Sequence, residues 1–313
     1  MMGAGALVAA VSSLAQQPAK IARIGFLGSD EAYDAFHSGL AEAGYAEGKN
    51  IIIERRTATG ASQRLPALAA ELVGLNVNVI VALNPPAFQA AMKATRTIPI
   101  VMRTSSDPVA AGIVASLAHP GGNVTGLFSL TDELNGKRLE LLKETIPAMS
   151  RVMLLWAPAW HDQHEWLKLS MNAARELGLH PLPAAVKTVE EFDNAFKSAQ
   201  REHANGLLAL RSPLTVANMA QVVKLAARAK LPAIYDEAAT AEAGGLMSYG
   251  ASLPHLYRHA AVYVDKILKG ARPGDLPVEQ PTKFHFVVNM KTAKALGVKI
   301  PQSILVRADR VIE

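Results

Sequence analysis

The sequence predicts an α/β protein built from two doubly wound parallel-sheet lobes that are joined by a hinge. The first observation is length, since 313 residues exceed one compact core and suit two domains. The second is that short apolar runs alternate with amphipathic segments between residues 21 and 127, which favours βαβ units. The third is that the same alternation starts again after residue 128. The second series predicts the second lobe.

The first lobe is predicted from runs of four to six apolar residues without polar alternation. Such runs are typical of strands that are buried on both faces of a parallel sheet, which close with right-handed crossovers. The predicted strands are Ile21–Leu27, Ile51–Arg55, Val79–Leu83, Pro99–Met102 and Val124–Phe128. The predicted helices between them are Tyr33–Ala43, Ser62–Leu75, Pro86–Ala94 and Pro108–Leu117.

The second lobe repeats this pattern. Its predicted strands are Val152–Trp156, His180–Ala185, Gly206–Ala209, Ala233–Tyr235 and Leu246–Ser248. Its predicted helices are Asp162–Leu177, Val189–Arg201, Thr215–Ala229 and Asp236–Ala243. A helix at Leu256–Leu268, a turn rich in Pro and Gly over 269–277 and an extended segment at Lys283–Asn289 follow.

The chain is expected to pass between the lobes near residues 128–130 and again near 249–252. The predicted division is a leader at 1–17, a first lobe of 18–127 with 251–276, and a second lobe of 128–250 with 277–313. The tail could pack on either lobe.

Composition excludes several classes of protein. Hydrophobic residues are 50% and charged residues 19%, so the chain can bury a core and is not disordered. The absence of cysteine excludes disulfide scaffolds, thiolate zinc sites, iron–sulfur clusters and cysteine nucleophiles. The net charge is +5, without a basic run or a stripe of basic and aromatic residues. We therefore expect no nucleic-acid partner, and a monomer.

The first residues form an apolar segment without charge. Residues 1–15 read MMGAGALVAAVSSLA, which is shorter than the roughly 20 residues of a membrane span but fits the apolar region of a secretory signal. Ser13-Leu14-Ala15 supplies a small-x-small pattern for cleavage. The basic region of a signal is missing, so either the true start lies upstream or the segment is only an apolar leader. The expected location is the periplasm, or secretion without a lipid anchor, after the leader is cleaved.

Polar and aromatic residues follow the predicted strands, where ligands sit in sheets of this kind. Arginine can bind a carboxylate through two hydrogen bonds, hydroxyls and helix N-termini suit an anion, and Trp or Tyr can contact a flat apolar body. The candidate ligand-binding residues are Ser29, Asp30, Asn84, Arg103, Thr104, Ser105, Trp156, Trp160, Arg211, Ser212, Tyr235, Asp236 and Tyr249.

Structural roles are the alternative for several of these residues. Ser29, Asp30 and Ser105 could cap helices or belong to ordinary loops. Trp156 could be a core residue of its strand, and each arginine could lie on the surface. The presence of arginine at comparable strand ends of both lobes favours convergence on one ligand.

Catalytic and metal-binding motifs do not occur. The sequence has no P-loop, no G-x-S-x-G elbow and no H-E-x-x-H, and Gly25-Phe-Leu-Gly28 lacks the third glycine of a dinucleotide fingerprint. The pairs His161/His164 and His255/His259 have a spacing that could hold a metal, but no patterned carboxylates support either pair. We therefore predict no catalytic residue, no metal and no cofactor.

Several blocks in order resemble one known family. They include IGFLG from Ile24, DPVAAGIVASLAHPGGNVTG from Asp107, ELNGKRLELLKE from Glu133 and AGGLMSYG from Ala243. The chain from about residue 24 to 313 is similar to the substrate-binding proteins of bacterial ABC importers, in the branch of tryptophan/tyrosine-type binders. The resemblance implies a type I periplasmic-binding (Venus-flytrap) fold, three crossovers between lobes, export, and delivery of a small solute to a permease in the inner membrane.

Three functions fit this two-lobe scaffold. The leading hypothesis is a binding protein that closes over a small carboxylate, an aromatic acid or an amino acid, for which Asp30 or Asp236 could accept the ammonium group. A hydrolase would need convergent carboxylates or a nucleophile–base pair. A repressor-type sensor would need a helix-turn-helix leader, which the short apolar segment cannot supply. Segments 103–106 and 210–213 differ from the family's commonest forms, so the resemblance does not name the solute.

Overall fold

Two β-sheets organise the chain, each covered by helices on both faces. The computed structural model describes residues 21–58, 62–104, 107–129, 134–159 and 163–313. Each sheet separates two clusters of buried apolar side chains. Within these described ranges, no helix combines the length and the apolar character that crossing a membrane would require.

The first sheet, which we call lobe 1 with its helices, has five parallel strands in the order β2-β1-β3-β4-β5. The strands are β1 (Ala22–Gly28), β2 (Ile51–Thr57), β3 (Val79–Ala82), β4 (Ile100–Thr104) and β5 (Val124–Phe128). The helices are α1 (Asp30–Glu42), α2 (Leu65–Gly74) and α3 (Pro85–Ala94), and a short 3-10 turn, Ser62–Arg64, precedes α2. The strands β3, β4 and β5 consist of buried residues throughout, which is why their sequences lack polar alternation.

The second sheet, which we call lobe 2 with its helices, has seven strands in the order β12-β11-β10-β9-β8-β6-β7. Strands β10 and β11 are antiparallel neighbours, and the other neighbouring pairs described are parallel. The strands are β6 (Arg151–Trp156), β7 (His180–Ala185), β8 (Gly206–Ala209), β9 (Ala233–Tyr235), β10 (Met247–Ala251), β11 (Phe284–Asn289) and β12 (Arg310–Ile312). The remaining helices are α4 (Asn135–Thr145), α5 (Gln163–Glu176), α6 (Glu191–Arg201), α7 (Pro213–Ala217), α8 (Met219–Arg228), α9 (Ala238–Glu242), α10 (Leu253–Leu268), α11 (Met290–Leu296) and α12 (Gln302–Leu305).

Helix α10 leaves lobe 2 at the end of β10 and packs on lobe 1. It lies against α1, where Gly39 lets the two backbones approach: a Cβ at this position would lie 2.3 Å from the Arg258 carbonyl oxygen. Tyr257, Tyr263 and Val264 of α10 belong to the same buried cluster as the β1 side chains. The α10 residues therefore complete the lobe 1 core.

The connections between the lobes are hydrogen-bonded to each other. The chain crosses after β5, after β10 and again before β11. At the third crossing, the Phe128 N–H donates to the Glu279 carbonyl at 3.0 Å and the Glu279 N–H donates to the Gly126 carbonyl at 3.0 Å. This pairing ties the return segment to the end of β5, so two of the crossings lie side by side.

Two of the predicted helices differ in the structure. The prediction of a helix at Pro108–Leu117 is wrong: this segment forms turns, since Gly112 has a φ of +66° and the Asp107 carboxylate accepts from the Val109 and Ala110 N–H groups. The predicted helix Thr215–Ala229 is broken at Asn218, whose φ of −119° and ψ of 21° separate α7 from α8. Helices α4, α11 and α12 and strand β12 were not predicted.

Candidate ligand-binding site

Five buried or half-buried charged side chains meet where the carboxyl ends of lobe 1 strands approach those of lobe 2. They are Arg103, Arg138, Arg211, Asp236 and Glu237, and we call them the arginine–carboxylate cluster. Arg103 belongs to β4, Arg138 to α4, Arg211 follows β8, and the two carboxylates follow β9. Arg103 is close enough to Arg211, Glu237 and Asp236 for their charges to act on its pKa, although it comes from the other lobe.

Arg211 is held by both carboxylates. Its Nη1 donates to Asp236 Oδ2 at 2.6 Å and also to Glu237 Oε1. Burial favours the neutral guanidine, but the two negative charges outweigh it and raise the pKa of Arg211 above its ordinary value. The Gln163 side chain donates to the Arg211 carbonyl at 2.9 Å and accepts from the Ala157 N–H at 3.0 Å, which ties the ends of β8 and β6 together.

Asp236 stays ionised although only 5% of it is exposed. Burial acts to raise the pKa of its carboxyl, but the positive charges of Arg211 and Arg138 outweigh burial and lower it below the ordinary value. Asp236 therefore carries a negative charge at neutral pH, and this charge is already shared between two arginines.

Arg138 anchors α4 to the sheet of lobe 2 and is 2% exposed. Its Nε donates to the Tyr249 carbonyl at 2.7 Å, and its Nη1 donates to Asn135 Oδ1 at 2.7 Å. Next to Tyr249, the backbone at Gly250 passes close to the backbone of Asp236. Only glycine fits there, because a Cβ would lie 1.9 Å from the Asp236 carbonyl oxygen. Arg138 thus has a structural role within the cluster.

Arg103 differs from Arg211, because no ion pair of its side chain is present among the described residues. It is 4% exposed, and its Nε is buried with no hydrogen-bond partner in the described part of the chain. Burial lowers the pKa of Arg103, and the like charge of Arg211 lowers it further, while Tyr257, Glu237 and Asp236 offset only part of this. A buried cation without a hydrogen-bonded anion is costly, so the surroundings of Arg103 suit an added negative charge.

The match to a known family covers nearly the whole chain. The profile of the family described as ABC transporter substrate binding protein matches residues 21–312. The chain belongs to this family. Its members bind small-molecule solutes outside the cytoplasm and work with a membrane permease.

Relatives of this substrate-binding protein agree with that assignment. A tyrosine-binding protein from Clostridioides difficile (strain R20291) is 29% identical over 271 residues, covering 86% of this chain and 77% of the relative. The structure of an ABC domain from Streptococcus pneumonia in complex with L-Trp has a TM-score of 0.82 at 26% identity, covering 94% of this chain and 100% of that one. A ligand-free, open substrate-binding protein from Clostridium difficile has a TM-score of 0.74 at 27% identity, covering 93% and 99%. These similarities confirm the predicted family and its type I periplasmic-binding fold.

Two of the predicted ligand-binding residues of this substrate-binding protein, Asn84 and Ser212, cap helices. Asn84 Oδ1 accepts from the Ala87 N–H at 3.0 Å at the start of α3. Ser212 Oγ accepts from the Thr215 N–H at 3.1 Å, and Thr215 Oγ1 accepts from the Ser212 N–H at 2.8 Å, which together form a capping box for α7. Ser29 precedes α1 and is exposed, but its side chain makes no capping bond.

Asp30 lies at the exposed rim of lobe 1. Its Oδ1 pairs with Arg55 Nη2 at 2.5 Å, and 62% of its side chain is exposed. The Arg55 guanidinium also lies 4.1 Å above the Tyr33 ring. Asp30 is therefore engaged by Arg55 at the surface, and its contact with a ligand stays a prediction.

Three of the aromatic residues that were predicted to contact a ligand in this substrate-binding protein are buried or half-buried. Tyr235 is 1% exposed and packs in a core cluster of lobe 2, so its contact with a ligand stays a prediction. Trp156 is also buried, edge-on to the His164 ring at 5.0 Å, and its indole Nε1 has no hydrogen-bond partner in the described ranges. Tyr249 is half-buried and stacks on Phe284 with ring centroids 5.9 Å apart.

The other predicted residues are placed as follows. Thr104 is buried at the end of β4, and its carbonyl accepts from the Ser129 N–H at 3.0 Å. Ser105 and Trp160 lie outside the described residues. The structure brings together Arg103, Arg211 and Asp236 of the predicted set.

Sequence reasoning missed Arg138 and Gln163 as members or supports of the cluster. A signal for Arg138 was present, because it falls on the same helical face as Leu141 and Leu142, which are buried. A charged residue on an apolar face needs a buried partner, and this pattern could have identified α4 as part of the site.

A surface groove on α6 offers a different concave feature. It is lined by Asn194, Lys197, Gln200 and Arg201, all of which are exposed. Water can accept and donate hydrogen bonds at these exposed side chains, whereas the Arg103 guanidinium is buried away from water. The arginine–carboxylate cluster is therefore the candidate site.

Proposed function

We propose that this protein is the solute-binding component of an ABC importer and captures a small carboxylate between its lobes, with Arg103 binding the carboxylate group. The observation that carries the proposal is the buried Arg103 guanidinium, whose Nε has no hydrogen-bond partner among the described residues. Guanidinium groups stay charged at neutral pH and match the geometry of a carboxylate. A ligand carboxylate would supply the missing negative charge.

Arg211 has a supporting role in this proposal. Its guanidinium is engaged by Asp236 and Glu237, so it fixes the lobe 2 side of the site rather than offering a free cation. The positions of Arg103 on lobe 1 and this ion-paired group on lobe 2 mean that a bound anion would contact both lobes. Contact with both lobes is what couples ligand binding to hinge closure.

We further propose that the lobes comprise residues 18–127 with 251–276 and 128–250 with 277–313, and that they close about the three crossings. The separate sheets and separate core clusters support this division. The hydrogen bonds of Glu279 to the end of β5 support moving the last boundary of this division from 276 to about Glu279.

Export is the third part of the proposal. Residues 1–17 would act as a cleaved leader, which delivers the mature protein to the periplasm where it meets its permease. The test is mass spectrometry of the N-terminus of protein recovered from the periplasmic fraction. We expect a mature start close to Gln16; an intact leader on cytoplasmic protein would overturn this part.

The binding proposal is tested by titration calorimetry after a thermal-shift screen of aromatic and aliphatic acids. A ligand at 100 times its Kd adds about 2.7 kcal/mol of stability, which such a screen detects easily. Replacement Arg103→Ala should weaken binding by about 2–5 kcal/mol, because it removes one partner of a buried charge pair. Arg103→Lys should recover only part of the loss, since an ammonium group does not form the paired hydrogen bonds.

The control is Arg228→Ala, which removes an exposed arginine of α8 whose side chain is 76% exposed. It changes the net charge equally and should leave the Kd unchanged. Wild-type affinity in Arg103→Ala would refute the role of Arg103.

A hydrolase on the same scaffold would need a carboxylate that is free to act as acid or base. Asp236 and Glu237 are both ion-paired with Arg211, so no observation favours this alternative.

A further inference from the structure

We infer that the carboxylate captured by this protein lacks an α-ammonium group, and is thus a simple, oxo or hydroxy acid rather than an amino acid. The inference rests on the proposed function, because it concerns what else the ligand carries besides the carboxylate. It depends on how the carboxylates near the strand ends are already used.

An amino acid brings a second charge into the site. Its ammonium group has N–H donors that must be accepted by oxygen atoms, and a buried ammonium without an anionic or carbonyl partner is strongly disfavoured. A site for amino acids therefore needs a free carboxylate, or an equivalent set of acceptors, beside the arginine that binds the carboxylate.

The two carboxylates in the cluster are committed to arginine. Asp236 accepts from Arg211 at 2.6 Å, is 5% exposed and also lies in the field of Arg138. Glu237 accepts from the same Nη1 of Arg211. A ligand ammonium would have to compete with a guanidinium that is tethered in place and is itself buried, which would leave Arg211 without its counter-charges.

The two carboxylates described next to lobe 1 strands are also engaged. Asp30 pairs with Arg55 at the exposed rim. Asp107 follows β4, and its Oδ1 accepts from the Val109 N–H at 2.8 Å and from the Ala110 N–H at 3.2 Å. Within the described ranges, each of these four carboxylates thus has a partner, whereas Arg103 Nε has none.

Among the residues that the structure describes, the site therefore offers an unmatched positive charge and no carboxylate that is free of an arginine or backbone partner. A ligand with a net negative charge fits this arrangement. The carboxylate of a zwitterion would also fit, but its ammonium group would have no matching acceptor among the described carboxylates. The relatives that are named for tyrosine or hold L-Trp share 26–29% identity with this chain, which leaves room for a different ligand class.

The test compares matched ligand pairs that differ only in the ammonium group. The mature protein is titrated calorimetrically with L-phenylalanine against phenylpropionate, with L-tryptophan against indolepropionate, and with L-leucine against isocaproate. Phenylpyruvate, in which a ketone replaces the ammonium group, is added as an oxo acid. Phenylpropionamide, which lacks the negative charge, is the control for the carboxylate itself. We expect at least one acid to bind about tenfold or more tightly than its amino acid, which corresponds to about 1.4 kcal/mol, and the amide not to bind.

The variant Glu237→Gln adds a second readout. It leaves Arg211 paired with Asp236 alone and raises the positive potential of the site, so acids should bind equally or more tightly. If an ammonium instead bound at Glu237, the same variant would weaken amino acids by about tenfold or more while sparing acids. Glu242→Gln, which changes a half-exposed lobe 2 carboxylate paired with Arg310, is the matched control and should alter neither ligand set.

The outcomes separate the two claims. Tighter binding of the amino acids, or their selective loss in Glu237→Gln, would overturn the inference while the carboxylate function stands. Equal binding of the amide and the acid would refute the carboxylate function, and the inference with it.

Discussion

Arg103 and Arg211 occupy comparable positions on the two lobes, each at the carboxyl end of a strand, but their surroundings differ. Arg211 binds two carboxylates that directly follow β9, whereas Arg103 Nε is unpartnered in the described residues. The sequence predicts both arginines at strand ends, and this prediction is correct. It could not predict which one is paired, because pairing depends on β8 and β9 lying side by side in the sheet.

Arg138 provides the residue-scale prediction for stability. The change Arg138→Met should destabilise the protein by about 3–5 kcal/mol, because it leaves the Tyr249 carbonyl and Asn135 Oδ1 without their donor and removes a positive neighbour of Asp236. The free energy of unfolding in urea measures this loss.

Its neighbour Lys137 supplies the matched control. Lys137 pairs with Glu140 on the exposed face of the same helix, so Lys137→Ala should cost no more than about 0.5 kcal/mol. Similar unfolding midpoints for the two variants would contradict the structural role of Arg138.

At the scale of elements, burial decides which parts the sequence predicts. The strands that are buried throughout, such as β3, β8 and β9, are continuous apolar runs and are predicted within a few residues of their observed bounds, whereas the more exposed β12 is not predicted. Helix α4 was missed because Arg138 and Asn135 interrupt its apolar face, although both are buried. The segment after β4 was predicted as a helix from its apolar spacing, but Gly112 adopts a left-handed conformation there.

The contact between α1 and α10 gives an element-scale prediction. Gly39→Ala should destabilise the protein by about 1–3 kcal/mol, because the new Cβ would lie 2.3 Å from the Arg258 carbonyl oxygen and the two helices would have to separate. Thermal unfolding of the variant measures the effect.

A second glycine in a helix serves as its control. At Gly136 in α4 a Cβ would meet only Ala173 Cβ at 3.6 Å, an ordinary contact. Gly136→Ala should therefore be neutral or stabilise by up to about 1 kcal/mol, since alanine favours helix. Destabilisation of both variants to the same degree would show that helix packing at Gly39 is not the cause.

Helix α10 also carries a pH-dependent group. Burial lowers the pKa of His255 below its ordinary value of 6.5, and the positive charges of Lys283, His259, Arg258 and His285 lower it further. The unfolded chain therefore binds a proton more readily than the folded one, so the stability from neutral His255 is present above about pH 6.5 and is lost as the pH falls through the folded value.

The measurement is the free energy of unfolding between about pH 5 and pH 8. We expect His255→Gln to flatten the decline on the acid side. The control is His119→Gln, which removes a histidine from an exposed position of lobe 1 and should leave the pH dependence unchanged. An unchanged slope in His255→Gln would exclude His255 as the group responsible.

At the scale of the whole molecule, the sequence predicts two lobes and the family, and both predictions are confirmed. It does not predict the approach of Arg103 to a cluster on the other lobe, because this depends on the angle at the crossings rather than on any local pattern. The sequence also does not predict on which face of its sheet Tyr235 lies; the ring packs in the core of its own lobe.

The proposed closure predicts a change in overall dimensions. In small-angle scattering, a confirmed carboxylate ligand should reduce the radius of gyration, because the lobes rotate about the crossings near Phe128 and Tyr249. Arg103→Ala at the same ligand concentration should keep the ligand-free value. An unchanged radius in the saturated wild-type protein would instead indicate a site that is closed before the ligand arrives.

The position of α10 also determines when lobe 1 can finish folding during synthesis. Its first helix, α1, begins at residue 30, but the surface that covers α1 is not made until residues 253–268 have left the ribosome. Until then the nascent chain exposes the apolar side chains of α1, including Phe36 and Leu40, so an N-terminal fragment cannot close this core by itself. The order of the elements therefore delays completion of the lobe 1 core until more than 200 residues have been made after α1.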